Sequence, residues 1–189
     1  MSILGKTGCG KTYLLKKLIR SFAPYTLILI ADIKHDYTGV REIHNLDKFD
    51  YSQKGVFRVK ILDLDSLKDF DYKVFTNVAI DRSLRVILIY DELQIYLPNN
   101  CLQRDPYFFK MLTMGRAYGI GMWFASQRPQ TLDKNVLSQS KYIISFFLDN
   151  KRDLDQVDNY IPSEKTRSLK KYWFYVYTDD KGILLHAPI

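Results

Sequence analysis

The chain has 189 residues, 47% of them hydrophobic, 26% charged and 14% aromatic. That composition excludes a disordered polymer and suits a single globular domain over residues 1–189, able to bury roughly 70% of its unfolded surface. A net charge of +7, from 28 Lys+Arg against 21 Asp+Glu, points toward polyanionic partners without saying anything about fold.

No apolar run approaches the roughly 18 residues that span a bilayer. Met1–Leu4 runs straight into a glycine-rich loop, so no signal peptide is expected. Two cysteines, Cys9 and Cys101, cannot form a disulfide framework, which places the expected compartment in a reducing cytoplasm.

In chain order, Ile3–Leu4 reads as the end of a short strand. Thr12–Phe22 reads as a helix with an apolar stripe of Leu14, Leu15, Leu18, Ile19 and Phe22, stopped by Pro24. The near-continuous apolar runs Leu27–Ala31, Val56–Ile61, Val86–Tyr90, Met122–Ala125 and Ile143–Leu148 predict strands covered on both faces. Ser66–Phe75 and Tyr107–Tyr118 predict two further helices, and Tyr172–Tyr177 with Ile183–His186 predicts a terminal antiparallel hairpin around Asp179–Gly182. Strands alternating with helices make this an α/β fold with a mostly parallel sheet.

Gly5, Lys6, Thr7, Gly8, Cys9, Gly10, Lys11 and Thr12 match G-x-x-x-x-G-K-[ST] without a mismatch. The glycines let backbone N–H groups turn inward around a β-phosphate, and the following helix adds its positive N-terminal end. Lys11 then reaches the β- and γ-phosphates of ATP, and the Thr12 hydroxyl ligates Mg²⁺. Cys9 reads as a small side chain at a variable loop position, in preference to a redox switch.

Val86–Tyr90 is followed by Asp91 and Glu92. An aspartate at a strand's end beside a phosphate loop can hold Mg²⁺. Strand alternation points Glu92 elsewhere, where it can polarise a water for attack on the γ-phosphate. Read alone, the two acids are an ordinary strand exit. Beside the phosphate loop they read as a Walker B element, and they favour hydrolysis over transfer to a small acceptor.

The stretch from Arg116 through Gly119 and Ile120 to Ser126-Gln127-Arg128-Pro129 resembles an element of the FtsK–HerA superfamily of DNA-pumping ATPases. Asp32-Ile33-Lys34-His35-Asp36-Tyr37 is similar to that superfamily's D-P-K-G-E-Y segment, with Ile33 in place of proline, and Gly182–Pro188 is similar to its C-terminal strand. The resemblance implies a RecA-like (ASCE) P-loop NTPase fold with a C-terminal hairpin. It implies that Gln127 senses the γ-phosphate or positions the lytic water. It also implies that Arg116 is an arginine finger offered to the neighbouring subunit of a ring, a homohexamer by family expectation. Read alone, Arg116 is a helix-end cation before Gly119, and Gln127 a turn residue before Pro129.

Length narrows the resemblance to the short module of genome-packaging ATPases from membrane-containing icosahedral DNA viruses. No room is expected before Gly5 for a barrel, nor elsewhere for membrane segments or a winged helix. The implied partners are double-stranded DNA, read without sequence preference, and a capsid portal or membrane protein, with work done in the host cytoplasm at a capsid vertex. Asn99–Arg104 and the cluster Lys165, Arg167, Lys170, Lys171 are candidate DNA contacts, against the plainer reading of solvated basic surface. Tyr107, Phe108, Phe109, Phe146 and Phe147 read as core, and His35, His44 and His186 lack zinc-ligand spacing. Alternative readings are a small-molecule phosphotransferase of nucleoside-kinase type, a nucleotide-gated assembly protein, or another mobile-element transfer ATPase.

Overall fold

The computed structural model describes residues 1–98 and 102–188. Nine strands form one sheet: β1 (Ser2–Leu4), β2 (Leu27–Asp32), β3 (Arg41–Glu42), β4 (Gly55–Lys60), β5 (Val86–Asp91), β6 (Ile120–Ser126), β7 (Ile143–Ser145), β8 (Phe174–Thr178) and β9 (Gly182–His186). Their spatial order is β3-β4-β2-β5-β6-β1-β7-β8-β9. All pairings from β3 to β7 are parallel, and β8 and β9 close the sheet antiparallel, as the hairpin pattern predicts.

The strand β1 has three residues yet lies deep in the sheet, because β6 and β7 bond it on both edges. Such a strand needs no length of its own when its neighbours satisfy both rows of backbone groups. In β2 every residue is buried, and alternation divides it between two cores. Leu27, Leu29 and Ala31 join the core on one face, whereas Ile28 and Ile30 join that on the other.

Helix α1 (Lys11–Phe22) covers the second face through Leu14, Leu15 and Ile19. Helices α2 (Leu64–Ile80) and α3 (Pro106–Met114) cover the first, through Phe70, Val74 and Phe108. Three short helices follow: α4 (Lys134–Ser138), α5 (Lys151–Val157) and α6 (Ser163–Arg167).

Several boundaries differ from those the sequence predicts. Helix α2 starts earlier and runs further, since Asp63 and Ser66 cap one another reciprocally at its start. The helix expected over Tyr107–Tyr118 stops at Met114 and tightens into a 3₁₀ turn over Gly115–Tyr118. The strand expected over Ile143–Leu148 ends at Ser145, because the chain there turns to brace the glycine-rich loop: Phe147 O accepts from the Lys6 N–H at 3.0 Å. Phe108 and Phe146 are buried as expected, but Phe109 is 41% exposed on the outer side of α3. The short helices α4 to α6 escape the sequence pattern because five to seven mostly polar residues carry too little periodicity, although Asp133 and Asn150 do cap the first two.

Candidate functional site

The loop from Gly5 to Gly10 joins the C-terminal end of β1 to α1. Gly5 has φ +148°, and a Cβ there would stand 2.6 Å from Phe146 Cβ and 2.9 Å from Cys9 Sγ. Only glycine fits, so the glycine that opens the motif is also what allows the loop to pack against the post-β7 segment. Cys9 is buried, and burial pushes its thiol above the ordinary range, which agrees with a small packing side chain and not with a reactive thiolate.

Lys11 is buried at the mouth of this loop, its Nζ donating to Gly5 O at 2.6 Å and Lys6 O at 3.1 Å. Burial lowers its pKa, opposed by Cys9, Glu92 and Asp91. An ammonium so placed gains most from an incoming phosphate. Lys6 pairs with Asp149 at 2.6 Å on the surface, and Thr7 Oγ1 donates to Gln127 Oε1. Gln127 follows the last residue of β6, so this bond joins the phosphate loop to the end of the neighbouring strand.

Asp91 is the last residue of β5. Here the expectation from strand alternation is corrected. Glu92 adopts φ +64°, left-handed, which ends the strand and turns its carboxylate into the same cavity that Asp91 lines. That conformation is uncommon for a non-glycine residue. It is held by the Glu92 N–H bond to Ala125 O at 2.9 Å and by the Ile95 N–H bond to Glu92 O at 3.0 Å. The cavity measures about 160 Å³ and is lined also by Lys11, Thr12 and Gln127. Ligand pockets hold about 300–1,000 Å³, so this one matches a terminal phosphate with its water, not a whole nucleotide. A larger hollow of about 510 Å³ lies at the opposite edge of the sheet, beside Arg116 and Trp123, away from the phosphate loop.

Thr12 Oγ1 and the Asp91 carboxylate are hard oxygen donors facing one cavity, the set that Mg²⁺ takes alongside phosphate oxygens and water. Burial, followed by the nearby Glu92, pushes the Asp91 carboxyl above its ordinary range, an environment that a cation relieves.

Residues whose contacts the sequence did not foresee come from the segment after β2. Tyr37 Oη donates to Asp91 Oδ2 at 3.1 Å, and Lys34 Nζ donates to Glu92 Oε1 at 3.0 Å. Asp32 is buried against Arg58 at 2.8 Å, and Arg58 pairs in turn with Glu42 at 2.8 Å. The signal for these residues lay in the Asp32–Tyr37 resemblance, which marked the segment without saying what it touches.

Arg116 is exposed on the 3₁₀ turn before β6, and among the described residues no hydrogen bond or ion pair engages its side chain. It precedes the start of β6, whereas the phosphate loop leaves the end of the parallel neighbour β1. The two therefore lie at opposite edges of the sheet. Gly119, with φ +74°, turns the chain between them: a Cβ there would meet Leu84 O at 2.4 Å.

Lys165, Arg167, Lys170 and Lys171 are all exposed. They precede β8, whose start lies beside the end of β7, which puts them at the same sheet edge as the phosphate loop. Of the Asn99–Arg104 segment, residues 99–101 lie outside the described residues, as does the Cys101 reading, and Leu102–Arg104 forms a short 3₁₀ turn.

A sheet whose parallel strands carry a phosphate loop after one strand and acids at the end of another, two places away, defines a P-loop NTPase. The chain belongs to the family described as "Helicase HerA, central domain", whose model matches residues 1–97. It is 29% identical over 167 residues to "DNA packaging ATPase P9" of Enterobacteria phage PRD1, covering 85% of this chain and 69% of that protein. It is 32% identical over 101 residues to "DNA double-strand break repair helicase HerA" of Saccharolobus solfataricus, covering 51% of this chain and 19% of the helicase. The genome packaging NTPase B204 from Sulfolobus turreted icosahedral virus 2, solved in complex with ATP-gammaS, superposes with a TM-score of 0.84. It is 25% identical, with coverage of 100% of this chain and 96% of that one.

Proposed function

We propose that this chain is a Mg²⁺-dependent ATP hydrolase that translocates double-stranded DNA during packaging of a viral genome. The observation that carries the hydrolytic reading is the convergence of Lys11, Thr12, Asp91, Glu92 and Gln127 on one small cavity. The DNA-packaging part is supported by the likeness to the phage packaging ATPase along most of both chains. No helix among the described residues is long and apolar enough to cross a membrane.

Lys11 leaves the loop carbonyls for the β- and γ-phosphates, and the loop N–H groups close round the β-phosphate. Mg²⁺, held through Thr12 and Asp91, supplies neutralisation of the phosphate charge. Glu92 accepts a proton from a water whose oxygen bonds the γ-phosphorus as the bond to the bridging oxygen breaks, giving ADP and phosphate. Gln127 orients that water and passes the state of the γ-phosphate to Thr7 and the loop. Arg116 cannot serve the site of its own chain from the far edge of the sheet, so it completes the site of a neighbour. That arrangement calls for a ring, with a homohexamer as the expected form. The exposed basic cluster from Lys165 to Lys171 contacts DNA phosphates, and a portal or membrane protein at the capsid vertex docks the ring from the host cytoplasm. The whole of residues 1–189 acts as one ATPase domain.

The experiment is ATP turnover per subunit across a range of protein concentrations, with and without long duplex DNA. Turnover that rises with both is the expected result. A rate indifferent to both, restored by a small phosphate acceptor, overturns the motor in favour of a phosphotransferase.

A further inference from the structure

Both carboxylate oxygens of Glu92 accept a hydrogen bond. Lys34 Nζ donates to Oε1 at 3.0 Å, and Gln94 Nε2 donates to Oε2. A carboxylate bonded at both oxygens by charged and amide donors is a poorer acceptor for a proton from water, because those donors stabilise the anion and lower its basicity. The Glu92 side chain is almost wholly buried, so the exposed solvent offers no second orientation, and the left-handed backbone fixes where it starts.

Three lysines line the cavity: Lys11, Lys16 and Lys34. Lys11 is folded onto loop carbonyls, and Lys34 is the one bonded to the base. The Lys34 side chain is one-third exposed, on the segment just after β2, and its ammonium can move without disturbing a packed core. A terminal phosphate entering this cavity brings more negative charge than the single charge on Glu92. The ammonium therefore has a stronger anion to bond only when a triphosphate is present.

We propose that Lys34 is a positioning residue that holds Glu92 tied while the cavity is empty or filled by a diphosphate, and passes to the γ-phosphate when a triphosphate binds. The exchange frees Oε1 when there is a bond to hydrolyse, and suppresses activation of water at other times. The inference rests on Glu92 being the base, and adds to it a residue that couples the base to the identity of the nucleotide.

The test is equilibrium binding of AMPPNP and ADP to four proteins: wild type, Lys34→Met, Glu92→Gln and the double variant. Lys34→Met keeps the stem and removes the charge, and its preference for the triphosphate over ADP falls by about tenfold or more, the worth of a charged hydrogen bond. Glu92→Gln removes the competing anion, so it binds AMPPNP several-fold tighter than wild type while ADP affinity stays the same. That gain disappears in the double variant. Lys34→Arg restores most of the preference, which separates loss of the contact from a folding defect. An unchanged preference in Lys34→Met, or a Glu92→Gln gain that survives without Lys34, overturns the proposal while leaving the hydrolytic reading intact. Normal ATP turnover by Glu92→Gln removes the base assignment itself, a different failure from either.

Discussion

Arg116 and Lys11 stand at opposite edges of the same sheet: Arg116 precedes the start of β6, and Lys11 follows the end of β1, its parallel neighbour. No rotation of an arginine side chain crosses the length of a strand. If both residues act on one phosphate, they come from different subunits.

The consequence can be checked by mixing two inactive proteins. Lys11→Ala loses nucleotide binding, and Arg116→Ala binds ATP without turning it over, the loss being about 10³–10⁵-fold for a finger. In a mixed ring an Arg116→Ala subunit keeps its own phosphate loop and receives Arg116 from a Lys11→Ala neighbour. Equal mixing therefore restores activity at about a quarter of the sites by random assortment in a head-to-tail ring. The measurement is phosphate release from the mixture against each protein alone. Strict additivity of two dead proteins would sink the shared-site arrangement.

Glu92→Gln keeps the shape of the side chain and removes its capacity to accept a proton. Turnover falls by about 10²–10⁴-fold while nucleotide remains bound. Single-turnover kinetics with radiolabelled ATP separates the two effects. Hydrolysis at the wild-type rate would transfer the base role elsewhere.

Asp32 is wholly buried against Arg58 and also accepts the Asp36 N–H at 3.0 Å, which shapes the segment carrying Lys34 and Tyr37. Asp32→Ala leaves a buried guanidinium with Glu42 as its remaining partner, so the chain loses about 3–5 kcal/mol of stability. Urea unfolding reads that loss as a lower midpoint. A change below about 0.5 kcal/mol, as at an ordinary surface site, would contradict the structural role given to the pair.

Asp71 on α2 is buried beside Asp105, which caps α3, and it accepts the Tyr90 hydroxyl. Burial, followed by the Asp105 charge, raises its pKa well above the ordinary value, and a proton on Asp71 is shared with Asp105. The folded state thus holds a proton that the unfolded chain releases near pH 3.8. Stability is fully present below that pH and falls as pH rises toward the folded-state value. Asp71→Asn keeps the acceptor for Tyr90 and donates permanently to Asp105. It flattens the dependence, and its advantage over wild type grows from pH 4 to pH 8. Parallel stability curves from urea midpoints at pH 4, 6 and 8 would refute the shared proton.

Local patterns carried much of this molecule. The G-x-x-x-x-G-K-T run names its own loop because the backbone must curl at Gly5 and only glycine can pass Phe146 there. The apolar runs in β2 and β5 announced buried parallel strands because both faces are covered, whereas the sequence showed the body of α2 and missed its start at the Asp63–Ser66 cap. For β1 the sequence showed only a strand end at Ile3–Leu4 before the glycine-rich loop, and its place deep in the sheet came from its pairing with β6 and β7.

Distance along the chain hid the rest. Lys34 meets Glu92 across 58 positions, and Thr7 meets Gln127 across 120. Such contacts exist because parallel strands deliver their C-terminal ends to one edge, and no local pattern encodes which loops share it. The turn of Glu92 into the cavity is likewise a tertiary decision. Alternation sends it away from Asp91, and the backbone bonds to Ala125 and Ile95 bring it back. Sequence alone thus determined the loop chemistry and the class of fold, because these depend on residues next to one another. The tertiary structure decided which charges line one cavity, and that Arg116 lies at the opposite edge of the sheet from Lys11.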